Sequence, residues 1–179
     1  MRSGSGTIQD QAKTSKVQTN VEPPEDSFLL ENLKQHPRAI HDCFGLDIRN
    51  STHSRSNTTA LDFCQSFFSS DAFAFESIIL RTARWCFPRT QQDPNQKQEQ
   101  LSFGSGFFVV SQQSTNQIIL DSGPFFSWLA VYPSATVTKY RFGSIIKEPN
   151  WFLRRFMPIH LWYSKFLLAG AVRHHETKK

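Results

Sequence analysis

The sequence predicts an α+β domain: an antiparallel β-sheet with a helical hairpin after the first strand and a long terminal helix packed across the sheet. Three observations point there. Residues 59–87 carry apolar side chains at helical spacing. Residues 107–146 are rich in β-branched and aromatic residues, with gaps too short for crossover helices. Residues 151–172 are the most apolar stretch of the chain and return to a helical period.

Taken in order, residues 1–25 hold Gly, Ser, Thr, Gln and Lys with almost no large apolar groups, and a disordered tail is expected up to Pro23-Pro24. SFLL, residues 27–30, is expected as a short first strand. Residues 31–57 are mixed and polar, with an exposed loop at 54–57. Thr59 can cap a helix through LDFCQSFF, with Asp62 in the capping-box position and Leu61, Cys64 and Phe68 on its buried side. Ser70 or Asp71 opens a second helix through Phe87, which Pro88 stops. Phe75, Ile78, Ile79 and Trp85 or Cys86 fall on one side of it, and a polar loop follows at 90–100.

Residues 107–113 and 117–121 form a hairpin, Gly123-Pro124 a turn, 125–132 a strand, Pro133-Ser134 a second turn and 135–146 the last strand. The result is a four-stranded meander. The Gly104-Ser105-Gly106 run precedes a strand, so it lacks the helix N-terminus of a phosphate loop and reads as a turn or bulge. Pro149 ends the sheet, and Pro158 is placed in the first turn of a helix running through Val172. On a helical wheel Ile159, Trp162, Tyr163, Phe166, Leu167 and Gly170 gather on one side, the one expected to meet the sheet. Leu161, Leu168 and Val172 lie opposite, beside Lys165. One domain over 26–173 is expected, with a short basic tail at 174–179.

Charge is unevenly placed. Residues 135–179 hold nine Lys/Arg against two Asp/Glu, and residues 1–134 hold eleven against thirteen. A solvated basic face is the plain account. The aromatic-and-basic repeat of a nucleic-acid module is missing, which argues against nucleic acid as a partner. Four charged or titratable groups in 151–172, two of them adjacent arginines, argue against a bilayer span. Peripheral membrane contact is compatible with the pattern but not favoured, and so is a homodimer. Cys43, Cys64 and Cys86 are odd in number and widely spaced, which points to buried free thiols in a reducing compartment. The first twenty residues lack the apolar core of a secretory signal, so a cytoplasmic location is expected.

His160 is the leading candidate for acid–base chemistry, because an imidazole titrates near neutral pH. A structural histidine bonded to a nearby carbonyl is the plain alternative. Tyr163, three residues on, is the second catalytic candidate, with a core tyrosine as its alternative. In the last strand Thr136, Thr138, Tyr140 and Phe142 share one face, and Val137, Lys139 and Arg141 the other. The favoured register turns Tyr140 and Phe142 inward and leaves Lys139 and Arg141 in solvent. The opposite register would make Arg141 an anion anchor. In the strand before it, Phe126, Trp128, Ala130 and Tyr132 alternate with Phe125, Ser127, Leu129 and Val131, so both faces are apolar. Trp128, Tyr132, Tyr140, Phe142, Trp162 and Phe166 are the expected ligand-binding residues. The histidines are scattered, so no metal site and no cofactor is expected.

Strand, helical hairpin, meander, terminal helix: this order resembles the helix-grip fold of the START and polyketide-cyclase-like (SRPBCC) superfamily. The run MPIHLWYSKFLLAGAV is similar to the ending of an uncharacterised small-domain family placed there, in which a Pro-aromatic-His run opens the last helix. Pro158, Ile159 and His160 hold those positions, with Ile in place of the aromatic. TVTKYRF is similar to that family's last strand, and TALDFCQSFFSSDAFAFESIILRTARW to its helical hairpin. The likeness covers residues 58–172. Where the family carries an acidic run with His and Arg, this chain has DSGPFFSWLAVY, keeping only Asp121.

The resemblance implies a cavity between the sheet and the terminal helix that holds an apolar small molecule. Cyclisation, isomerisation or elimination of a polyketide- or terpenoid-like substrate is the activity it suggests. The alternative is a non-catalytic interaction domain, its interior filled by its own Phe side chains, with the Leu161, Leu168 and Val172 stripe docking on a protein or membrane surface.

Overall fold

A computed structural model of the protein describes residues 16–50, 58–74, 101–149 and 151–178. They build one seven-stranded antiparallel open sheet with helices on both faces. The strands are β1 (Gln18–Thr19), β2 (Ile40–Arg49), β3 (Ser102–Phe103), β4 (Phe108–Gln113), β5 (Gln117–Asp121), β6 (Phe125–Pro133) and β7 (Val137–Ile146). Their order across the sheet is β1-β2-β7-β6-β5-β4-β3. The helices are α1 (Phe28–Gln35), α2 (Ala60–Phe68) and α3 (Trp151–Thr177).

The expected α+β class, the antiparallel sheet and the terminal helix packed on it are all present. The meander from β4 to β7 follows the expected strands, and β3 extends it by one. The Gly104–Gly106 run is the β3–β4 turn, with φ of +58°, +59° and +78° at its three residues. Two of the three are glycines because a Cβ disfavours that region.

The amino-terminal half differs from expectation. SFLL is not a strand. Ser27 caps α1, accepting from the Leu30 amide at 3.3 Å, and Glu31 and Lys34 sit at the ends that suit their charges. The first long strand is β2, within the stretch read as mixed and polar. Phe44 and Leu46 alternate inward on one face, while its carboxylates find partners within the fold. The expected tail is also shorter. Gln18 and Thr19 pair with Gly45 and Phe44, and the Val21 amide donates to the Cys43 carbonyl at 3.1 Å.

α2 forms where the capping box predicts it. Thr59 Oγ1 accepts from the Asp62 amide, and Asp62 accepts from the Thr59 amide at 3.0 Å. Its buried side carries Ala60, Phe63, Cys64 and Phe67, with Leu61 and Phe68 only partly buried. The second hairpin helix begins at Asp71, its Phe73 and Ala74 amides donating to the Ser70 carbonyl. The rest of that expected helix, its Pro88 stop, Cys86 and the polar loop lie outside the described residues, as do the first fifteen residues of the tail.

α3 starts at Trp151 rather than at Pro158, which sits inside the helix. Residues on either side of Pro158 continue the helix without the one amide it lacks. At its other end α3 runs through the expected tail to Thr177. His175 is buried there, its ring 6.1 Å from that of Phe63 and 5.8 Å from that of Tyr140.

Two cores flank the sheet. One face, with Phe44, Leu46, Ile118, Leu120, Leu129, Val131, Tyr140 and Phe142, packs against α2 and α3. The other, with Cys43, Ile119, Phe126, Trp128, Ala130 and Ile145, is covered by Leu29, Phe28 and Leu33 of α1 and by Val21. Both cysteines in described segments, Cys43 and Cys64, are buried free thiols, and burial pushes the Cys43 thiol up to about 12.

Gly143 marks how closely the middle strands approach. A Cβ there would lie 2.9 Å from the Asp42 carbonyl oxygen, with Leu29 and Trp128 side chains at 3.1 and 3.2 Å. Gly143→Ala is therefore expected to reduce stability by about 1–3 kcal/mol. The measurement is a lower urea midpoint at unchanged m-value, and an unaltered midpoint would show that the strands are not this close.

Candidate functional site

The candidate residues fall in separate places. Trp128 and Tyr132 belong to the α1 side of the sheet. Trp128 is fully buried, and its indole N–H donates to Gln117 Oε1 at 3.0 Å. The same oxygen accepts from the Phe28 amide at 2.9 Å, so one amide side chain anchors both the indole and the start of α1. Tyr132 is half-buried, and burial pushes its hydroxyl up to about 12. Tyr140 and Phe142 face the opposite way, toward α2 and α3. Tyr140 Oη donates to Glu176, and its pKa is raised by burial and by that bond.

The favoured register of the last strand holds for Tyr140, Phe142 and the exposed Lys139. It fails for Arg141, which is neither in solvent nor an anion anchor. Arg141 is buried on the α1 side, donating to Asp47 Oδ1 at 2.6 Å and to the Tyr140 carbonyl at 2.9 Å. The chain supplies its own anion.

The roll of α3 is the larger correction. Ile159, Trp162 and Phe166, expected against the sheet, are 61%, 69% and 52% exposed. Leu168 and Val172, expected outward, are buried, and Leu161 packs on the same core. The buried face is made of His160, Leu161, Ser164, Leu167, Leu168, Ala171, Val172 and His175. Tyr163 lies at its margin, about 60° around the helix from His160, and donates to the Ala72 carbonyl at 3.3 Å.

The inward side of α3 also carries the polar contact of His160. Its Nε2 is 2.8 Å from Asp42 Oδ2 and 2.8 Å from Ser144 Oγ, with Ser164 Oγ at 3.4 Å. Ser144 also donates to Asp42 twice, from its hydroxyl at 2.8 Å and from its amide at 3.0 Å. Asp42 is 4% exposed, and these donors take the place of the water that burial removes from it. The His160 side chain retains about a third of its surface in solvent.

This cluster contains Ser, His and Asp but not the geometry of a nucleophile relay. A relay places the imidazole between hydroxyl and carboxylate, one nitrogen facing each. Here one nitrogen faces both, and the Ser144 proton goes to Asp42 rather than to the ring. Ser144 is thus not activated. The arrangement holds Nε2 against the inner carboxylate and hydroxyls and leaves part of the ring at the protein surface.

Asp42 and Ser144 were not singled out from the sequence. Ser144 continues the Tyr140–Phe142 alternation by two, so its face was legible. Asp42 was hidden with the strand that carries it.

The space between α2, α3 and the sheet holds a network of rings. Phe63 lies 4.9 Å from Tyr140, Phe67 lies 5.2 Å from Phe142, and Phe68 lies within 5.2 Å of Phe73, Phe103 and Phe108. A separate open cleft of about 440 Å³ is lined by Asp62, Gln65, Ser66, Ser69, His175 and Lys178. Ser66 Oγ and His175 Nδ1 are 2.9 Å apart at its wall. Among the described residues no three His, Cys, Asp or Glu side chains converge as metal ligands, and no helix is long and apolar enough to cross a membrane.

Asp62 at the cleft supplies a pH test. The Thr59 hydroxyl, then the Thr59 amide, hold its carboxyl below the ordinary 3.8. A depressed folded pKa adds stability that is present in full above 3.8 and is lost as pH falls through the lowered value. Thr59→Ala is expected to cost about 1 kcal/mol at neutral pH. In urea titrations the gap to the parent should shrink in acid, and a gap constant across that range would remove the carboxylate from the cap. Comparison with family models, with curated proteins and with solved structures finds no match.

Proposed function

We propose that this chain is a non-catalytic docking domain of the helix-grip type, related to the START/polyketide-cyclase-like superfamily, with its interior filled by its own side chains. The order β2, α2 with the helical turn at Asp71, the meander and α3 supports the fold assignment. One observation carries the functional part. The aromatic rings occupy the space under α3, while Trp151, Ile159, Trp162 and Phe166 stand in solvent on the helix's outer side. A patch of exposed aromatics on one element is the usual mark of a contact surface. It replaces the Leu161, Leu168 and Val172 stripe, of which the fold buries Leu168 and Val172 and partly buries Leu161.

A second reading, a cofactor-independent cyclase, isomerase or lyase acting on an apolar substrate, draws support from one feature. His160 is part-exposed and paired with a buried carboxylate, a suitable environment for moving a proton. It would need the ring network to part for the substrate.

Two measurements decide between them. Native mass spectrometry of protein from its own source should give the bare chain mass under the docking assignment; a co-purifying small molecule would favour the enzyme. In an extract of that source, the tagged chain should sediment in a larger assembly, and Trp162→Ser with Phe166→Ser should return it to its monomer mass. The variant His160→Gln should leave that assembly intact. Loss of a bound small molecule in His160→Gln, with the assembly indifferent to the outer-face variant, would overturn docking.

A further inference from the structure

Resting on the docking assignment, we infer that the outer face of α3 seats on an anionic lipid surface. Trp151, Ile159, Trp162 and Phe166 are 79%, 61%, 69% and 52% exposed. At helical spacing these four fall within an arc of about 80°, along roughly 22 Å of axis. Ser164, Leu168 and Ala171 lie on the opposite side and are fully buried. The helix is therefore apolar on two sides for two different surroundings. The inner side has the sheet, and the outer side has no protein among the described residues.

Charge selects the occupant. Arg155 and Arg173 lie within the same arc, and Arg154 and Lys165 lie along its border; all four are exposed. Glu176 is the single carboxylate within α3, and it accepts from Tyr140, so the helix itself sets no other acidic side chain among these cations. Alternating aromatic and basic side chains on a convex helix suit an interface with an apolar interior and anionic head groups. Tryptophan, an apolar ring with one polar N–H, is enriched at that depth. A protein partner would have to supply an apolar groove ringed by carboxylates. No helix among the described residues is long and apolar enough to cross a membrane, and in this inference α3 lies along the surface.

The test uses the full chain with vesicles of phosphatidylcholine alone or mixed with phosphatidylserine. Co-sedimentation is expected with the mixed vesicles, weakening as salt rises. Trp162→Ser with Phe166→Ser should lower partitioning roughly tenfold or more. Arg154→Glu with Lys165→Glu should abolish the preference for phosphatidylserine. All four positions are exposed, so circular dichroism and the urea midpoint should be unchanged. Failure of the parent to bind mixed vesicles, or equal binding by the aromatic variant, overturns the lipid inference. So does a parent that dimerises through these residues while ignoring vesicles. If vesicles fail yet the aromatic variant still loses its assembly in the source extract, docking stands and the occupant is a protein. If both fail, the docking assignment falls with it.

Discussion

The structure turns on a buried carboxylate. Asp42 sits in β2, between strand β7 and helix α3, and takes donors from both neighbours: two from Ser144 and one from His160. A charge removed from water demands such partners. Satisfying it ties three separate facts together: the pairing of β2 with β7, the side of α3 that faces inward, and the partly exposed position of the imidazole. The strands it joins are remote in sequence, with Asp42 opposite Ser144, so the contact is a non-local one.

The same logic explains what was legible in the sequence. α2 could be placed because its cap is local: Thr59 and Asp62 bond each other whatever lies elsewhere. The meander was legible because each hairpin pairs neighbours in the chain. β2 was not, because Asp42 and Asp47 read as solvent-facing until Ser144, His160 and Arg141 are brought to them from over 90 residues away. SFLL reads as a strand because so short an apolar run carries no period; Ser27 as a cap is the stronger signal.

The roll of α3 shows a limit of hydrophobic periodicity. Both sides of the helix are apolar, so a wheel ranks them by bulk and turns Trp162 and Phe166 inward. The fold selects the slimmer side instead. Ser164 and Ala171 allow close approach, and at the margin of that side an added Cβ on Gly170 would sit 2.6 Å from the Ala72 Cβ. Large rings on that side would collide with the phenyl groups already standing on α2. The expected ligand-binding set consequently divides. Trp128 and Tyr132 serve one core, Tyr140 and Phe142 the other, and Trp162 and Phe166 neither.

The margins of the sheet are β1 and β3, each two residues long. An open sheet offers unpaired amides and carbonyls along its outermost strands, where a neighbouring chain can add itself and start a fibre. Here Gln18–Thr19 shields part of β2 on one side, and Ser102–Phe103 shields the start of β4 on the other before the chain turns at Gly104. Among the described residues these two-residue stubs are too brief for a neighbouring chain to lay a long strand along them.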